Sequence, residues 1–287
     1  MTLRALAPGK VNLCLFLGPP RSDGRHELVT VFESVSMADE ICVELADRDE
    51  VVCPGVDGPN LVERALAGLR QSGWDAPPVR VLIRKQVPVA GGMGGGSADA
   101  GAMLRIAPAL APVGQDVVST LAAALGSDVP SQLVPGVALG TGAGEVVERW
   151  PALPPHALVV VPQPFELSTA AVYGESDRIG VFRDTGELAT LLDALRRDML
   201  PPRSLVNDLM PAAVSLAPDI GGALDALREV GAAEVMVSGS GPTVFGLRWG
   251  RDAEAWAAKA ASALVDRYPG ATVATPVSEE FGAPRGS

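Results

Sequence analysis

Residues 87–104, "VPVAGGMGGGSADAGAML", constrain this chain more than any other stretch. Glycine fills five of the six positions 91–96, between a β-branched run, "VRVLIRKQVP", and a segment predicted to be helical from about Ser97 to Leu110. Glycine costs backbone entropy on folding, so such a run belongs where unusual backbone angles or bare backbone are needed. Two familiar explanations fail. A Walker loop ends in Gly-Lys-Ser/Thr, and no lysine follows here. The dinucleotide fingerprint G-x-G-x-x-G, started at Gly92, would need glycine where Ser97 stands. What remains is a row of uncovered N–H groups feeding a helix mouth with its own unpaired N–H groups and positive dipole end. That is an anion cradle suited to a polyphosphate, with Ser97 as helix cap or phosphate contact. A flexible connection or a tight packing corner is the competing reading, and the number of glycines weighs against it.

Around this loop the chain of 287 residues is long enough for two domains or one large one. Strands are predicted at "KVNLCLFL", "HELVTVFESVSM" and "EICVEL", with a turn at Asp23-Gly24. "NLVERALAGLRQSG" reads as a helix capped by Asn60, with Glu63 in the capping-box position and Gly73 closing it. "DVVSTLAAALG" reads as a second helix, followed by a strand in "SDVPSQLV" and a hairpin in "GVALGTGAGEVVERW". "PALPPH" (151–156) is the linker candidate. Beyond it the pattern predicts strands at "ALVVVP", "AEVMVSG", "PTVFGLRW" and "ATVATPV", and helices around 169–176, 186–198, 208–230 and 252–267. This half reads as helices on one face of an antiparallel sheet, ending in a frayed tail, 278–287.

Composition removes several function classes. A net charge of −11 argues against a nucleic-acid surface, while leaving room for a locally positive site. Three cysteines without a C-x-x-C pair and two distant histidines argue against a disulfide framework or a zinc site and suit a reducing cytoplasm. No apolar stretch nears the roughly 20 residues that span a bilayer.

Single polar residues are bland in isolation. Lys10 reads as a strand-edge lysine, Asp128 in "LGSDVPSQL" as a turn aspartate, His26 as a loop histidine, and "MVSGSGPTVFG" equally as a hairpin or a ligand-facing loop. Together they form the set that phosphoryl transfer needs: a polyphosphate cradle, a cation near the accepting hydroxyl, and a carboxylate to take its proton. The carboxylate works only as attack makes the hydroxyl acidic, so placement matters more than basicity.

With these segments assembled, the chain resembles the GHMP small-molecule kinase superfamily, whose three motifs are similar to "APGKVNLCL", "VPVAGGMGGGSADAGAML" and "MVSGSGPTVFG". The turn "DGRHEL" and the segments "LGSDVPSQL", "ELSTAAVY" and "VNDLMP" resemble the branch that phosphorylates the 2-hydroxyl of a cytidine-diphosphate-linked methylerythritol in non-mevalonate isoprenoid synthesis. The resemblance runs in order from about residue 5 to 248. It implies an α+β, two-domain GHMP kinase fold. The N-terminal domain, 1–150, would be ribosomal-protein-S5-domain-2-like and the C-terminal one, 156–277, a ferredoxin-like sandwich. It also implies ATP as donor, Mg²⁺ carried on the ATP rather than held in a protein cage, small-molecule partners only, no nucleic acid or membrane, a monomer or weak homodimer, and a cytoplasmic location.

By motif position the resemblance makes Asp128 the catalytic base and Lys10 the cation that holds it. Pro88, Val89, Ala90, Gly91, Gly92, Met93, Gly94, Gly95, Gly96, Ser97 and Ala98 would wrap the ATP phosphates. Asn12, Arg25 and His26 would face the cytidine or its diphosphate, Tyr173 would stack on the base with Thr169 nearby, and Gly239, Ser240 and Gly241 would support the phosphate side. The chain departs from the family pattern at Arg25, usually aromatic, at Ala98, often serine, and at Ser131-Gln132, usually containing phenylalanine. A GHMP kinase for another alcohol, homoserine- or mevalonate-like, and a non-catalytic nucleotide-binding protein on the same fold are the alternatives.

Overall fold

Two long antiparallel strands, β1 (Thr2–Pro20) and β2 (His26–Leu45), form the spine of the computed structural model, which describes residues 2–201 and 203–286. The two strands predicted for 26–45 are one. The polar stretch between them is absorbed by a register shift between Pro8 and Lys10 instead of a turn. Further shifts fall between Asn12 and Cys14 and between Leu17 and Pro20. Such bulges re-aim side chains, and here they let one strand serve three cores. Leu3, Ala5 and Ala7 face the first helical layer, Val11, Leu13 and Phe16 face the second sheet, and Leu15 and Leu17 reach the second helical layer.

β3 (Glu50–Val52), α1 (Leu61–Gln71), β4 (Val79–Arg84), α2 (Gly95–Leu110), α3 (Gln115–Leu125), α4 (Val129–Gln132), β5 (Val137–Thr141) and β6 (Val146–Arg149) complete the first layer. α1 takes its predicted end residues without the expected capping box to Glu63: Asn60 Oδ1 accepts from Val62 N–H at 2.8 Å, and Gly73 takes the positive φ, +85°, that ends it. α1, α2 and α3 cover the sheet through Leu66, Leu69, Met103, Leu104 and Val118.

β7 (His156–Val161), α5 (Thr169–Ile179), α6 (Thr185–Asp198), α7 (Met210–Leu216), α8 (Asp219–Glu229), β8 (Glu234–Val237), β9 (Val244–Trp249), α9 (Ala253–Leu264) and β10 (Thr272–Ala274) follow. Their antiparallel sheet has the order β10-β7-β9-β8, the ferredoxin-like arrangement. β7 is buried along its whole length. Val159 and Val161 meet the second helical layer, and Leu158 and Val160 meet Val31 and Phe16 of the first sheet. Burial on both faces explains an unbroken apolar run in place of alternation.

Four expectations are corrected. The glycine loop hands over to α2 at Gly95, so Ser97 lies inside the helix and Gly94, not a side chain, occupies the cap. "SDVPSQLV" makes the short α4, since Pro130 suits a first helical turn. The helix predicted over 208–230 divides into α7 and α8 at Pro218, which has no N–H to continue the ladder. The described part of the tail, 278–286, is not frayed. Residues 279–282 form a 3₁₀ turn, Gly282 O accepts from Arg105 Nε at 3.1 Å, and β11 (Arg285–Gly286) pairs with β1. No helix among the described residues is long and apolar enough to cross a membrane.

Candidate active site

A cleft of about 600 Å³ lies where the two layers meet, lined from one side by Lys10, Phe32, Gly94 and Asp128 and from the other by Tyr173 and Ser240. The glycine loop shapes its floor. Gly92 (φ +78°) and Gly94 (φ +66°) take left-handed angles that side chains resist. A Cβ on Gly92 would stand 2.2 Å from Ser238 O, and one on Gly94 would stand 3.1 Å from Lys10 Cε. The glycines therefore let two loops and a lysine pack without separation. Ser238 Oγ donates to Gly92 O at 3.1 Å, and Thr243 N–H donates to Gly91 O at 3.2 Å. Thus the loop between β8 and β9 is both a hairpin turn and a wall of the cleft. α2 opens with no acidic residue and no side-chain cap, leaving its first N–H groups and positive dipole end available.

Lys10, far from a surface position, is 4% exposed. The β1 register shift aims it inward, and its backbone N–H is tied to Met93 O at 2.8 Å. Nζ donates to Asn12 Oδ1 at 2.8 Å and Gly92 O at 3.2 Å, and stands 3.4 Å from Asp128 Oδ2. Asp128 sits at the N-cap position of α4, yet its carboxylate makes no capping bond and turns to Lys10 while keeping 31% of its side chain exposed. Asn12 lines the cleft but bridges inward: Nδ2 donates to Thr30 Oγ1 at 2.7 Å, and Thr30 Oγ1 donates to Cys14 O at 2.6 Å. Its amide oxygen orients Lys10.

At the opposite end Thr169 Oγ1 and Ser240 Oγ are 2.9 Å apart, and the Tyr173 ring meets the His26 imidazole with centroids 5.3 Å apart. Burial pushes the Tyr173 phenol up to about 12, with Asp128 adding to the effect, so it remains a neutral donor. Arg25 is not brought in. It is exposed and its guanidinium is taken by Asp23 Oδ2 at 2.9 and 3.1 Å, so the expected stacking on a base has no geometry behind it. Of the loop, Pro88 to Gly92 and Gly94 to Ser97 line the cleft, while Met93 and Ala98 are buried beneath it and Gly241 lies behind Gly92.

Sequence reasoning missed a second cationic cluster. Lys85, at the end of β4, also lines the cleft and is gripped by Asp39 and, at 2.7 Å, by Asp99. Asp39 Oδ1 accepts from Val87 N–H at 2.8 Å, fixing the approach to the glycine loop. Asp39 in a strand and Asp99, the fifth residue of the mostly apolar α2, were the available signals. Cys53, Val56, Pro59, Asn60 and Leu61 close the same end with a mainly apolar wall.

Residues 60–136 match the GHMP kinases N terminal domain and residues 182–267 the GHMP kinases C terminal domain. The 4-diphosphocytidyl-2-C-methyl-D-erythritol kinase of Kineococcus radiotolerans is 42% identical over 261 residues, covering 85% of this chain and 80% of the relative. That of Mycobacterium bovis is 44% identical over 251 residues, covering 82% and 79%. The chain belongs to this kinase family. A crystal structure of 4-(cytidine 5'-diphospho)-2C-methyl-D-erythritol kinase superposes with a TM-score of 0.75 at 33% identity, spanning 96% of this chain and 99% of the other. Homoserine kinase from Cytophaga hutchinsonii shares the fold, with a TM-score of 0.63 at 19% identity over 99% and 96% of the two chains. In this chain a lysine, an aspartate and the glycine loop converge at one point of the cleft.

Proposed function

We propose that this chain transfers the γ-phosphoryl group of ATP to the 2-hydroxyl of 4-diphosphocytidyl-2-C-methyl-D-erythritol. The observation that carries the reading is convergence: Lys10 Nζ lies within 3.4 Å of the Asp128 carboxylate and 3.2 Å of Gly92 O in the glycine loop. A general base, a cation and a polyphosphate cradle thus share one point.

ATP would lie with its phosphates over Gly94 to Ser97 and the open mouth of α2, and its base toward the apolar wall of Val56, Pro59 and Leu61. The acceptor would enter from the Tyr173 and His26 end with its hydroxyl at Asp128. As the hydroxyl oxygen bonds to the γ-phosphorus, the bond from that phosphorus to the β,γ-bridging oxygen breaks, ADP leaves, and the hydroxyl proton passes to Asp128. Lys10 stabilises the charge on the attacking oxygen and keeps Asp128 aimed. Mg²⁺ fits as the counter-ion of the ATP phosphates. The Ser97 hydroxyl and the half-open Asp128 carboxylate offer it oxygen atoms without a complete cage, which matches magnesium's habit of keeping phosphate and water ligands.

The test is coupled ADP release with Mg-ATP, comparing the diphosphocytidyl substrate with the same compound lacking the cytidine. Turnover that requires the cytidine is expected. Equal turnover of both, or of homoserine in their place, would overturn the acceptor assignment.

A further inference from the structure

Three side chains on α5, Thr169, Tyr173 and Asp177, are spaced by four and share one helix face. The first touches Ser240 and the second lines the cleft. Asp177 lies beyond both and does not line it, yet its Oδ1 is 2.8 Å from His26 Nε2. His26 starts a row on β2. Side chains two apart in a strand share a face, so His26 stands in line with Leu28, Thr30 and Phe32, all three of which line the cleft, while His26 itself lies behind Tyr173 at its edge. The imidazole is 5% exposed, packed against Tyr173, and Asp177 is its one hydrogen-bond partner among the described residues.

The chemistry of that contact is directional. A carboxylate accepts, so Nε2 carries the proton, and in that tautomer Nδ1 is left as the lone-pair acceptor beside the Tyr173 ring. A pyrimidine against that wall is read by what it offers Nδ1. Cytosine offers an exocyclic amine, a donor. Uracil offers a carbonyl at the same position, an acceptor facing an acceptor. We infer that Asp177 is a specificity-determining positioning residue: by holding the Nε2 proton it leaves Nδ1 to select cytosine over uracil. This rests on the cytidine-bearing acceptor proposed above. Asp177 acts through His26 and touches neither reacting atom.

Two readouts test it, and they fail separately. The chain has only two histidines, so ¹⁵N spectra of histidine-labelled protein resolve each ring. In the native protein the His26 ring is expected in the Nε2–H form, with its Nδ1 signal moved by cytidine 5′-diphosphate and not by uridine 5′-diphosphate. Asp177→Ala is expected to mix the tautomers. It should also lower the kcat/KM preference for the cytidine substrate over its uridine analogue by about tenfold or more, with kcat on the cytidine substrate changing less than about threefold. Asp177→Asn, which keeps an acceptor oxygen, is expected to retain most of the preference. An unchanged tautomer and an unchanged preference in Asp177→Ala would overturn the inference. So would equal losses on both substrates with a lowered melting temperature, the mark of a structural tie. If the native protein turned over neither substrate, the kinase reading would fall, and the two diphosphates would still decide the role of Asp177 through the His26 signal.

Discussion

Two lysines flank the glycine loop, Lys10 buried and Lys85 half-buried, and their surroundings differ in kind. Lys85 lies between two carboxylates that are almost wholly buried, Asp39 and Asp99, and Asp39 also holds the backbone leading into the loop. Burial works against the Lys85 charge, but Asp99 and Asp39 outweigh it and raise its pKa. Lys10 has a single carboxylate partner, Asp128, which is partly open to the cleft, and otherwise two neutral oxygens from Asn12 and Gly92. A cation compensated twice is fixed in the scaffold. One compensated by a single, accessible carboxylate can answer new negative charge at the site. The same residue type thus builds the loop on one side and serves the chemistry on the other.

The largest break comes from the backbone both lysines depend on. Gly92→Ala places a Cβ 2.2 Å from Ser238 O at a φ of +78°, so no measurable ADP release and poor recovery of folded protein are expected. Lys10→Met is expected to lower kcat about 100-fold or more, read at saturating substrates, with ATP affinity nearly kept. Its effect on melting temperature should be modest, because Asp128 is left beside solvent. Lys85→Met should show the opposite profile. It leaves Asp39 and Asp99 buried without their cation, costing about 3 kcal/mol of stability by denaturant titration, while kcat falls less than about tenfold.

The smallest effect concerns His156 at the start of β7, where its Nε2 lies 2.7 Å from Glu33 Oε2 on β2. Burial lowers the His156 pKa, but the Glu33 carboxylate outweighs it and raises the pKa above 6.5. A raised folded-state pKa means stability that is present below the unfolded value and lost as pH rises through the folded one. Between about pH 6 and 8, His156→Gln should therefore flatten the fall in stability with rising pH that the native protein shows.

What the sequence disclosed follows from how local each constraint is. The glycine run was legible because left-handed angles and backbone contact exclude other residues at Gly92 and Gly94. The second half was legible as helices on an antiparallel sheet because its helices are periodic and its strands are short apolar runs, apart from the break at Pro218. The pairing of Lys10 with Asp128 was not readable from either neighbourhood, since a register shift and a four-residue helix bring them together. Here the family resemblance supplied what spacing could not. The pairing of Arg25 with Asp23, two residues before it, was not foreseen in the turn. The Lys85 cluster went unseen because a strand-end lysine draws notice only when its two carboxylates, distant in sequence, are seen around it. The tail was misjudged for the same reason: its pairing partner on β1 is at the other end of the chain.

The most direct measurement is ADP release by Asp128→Asn at saturating Mg-ATP and diphosphocytidyl substrate, set beside calorimetric ATP binding by the same variant. The substitution keeps size and removes the proton acceptor at the point where Lys10 and the glycine loop meet. A loss of about 1,000-fold in kcat with ATP affinity within about threefold of the native protein is expected. Turnover within tenfold of the native rate would contradict the assignment of Asp128 as the base and, with it, the proposed chemistry of the cleft.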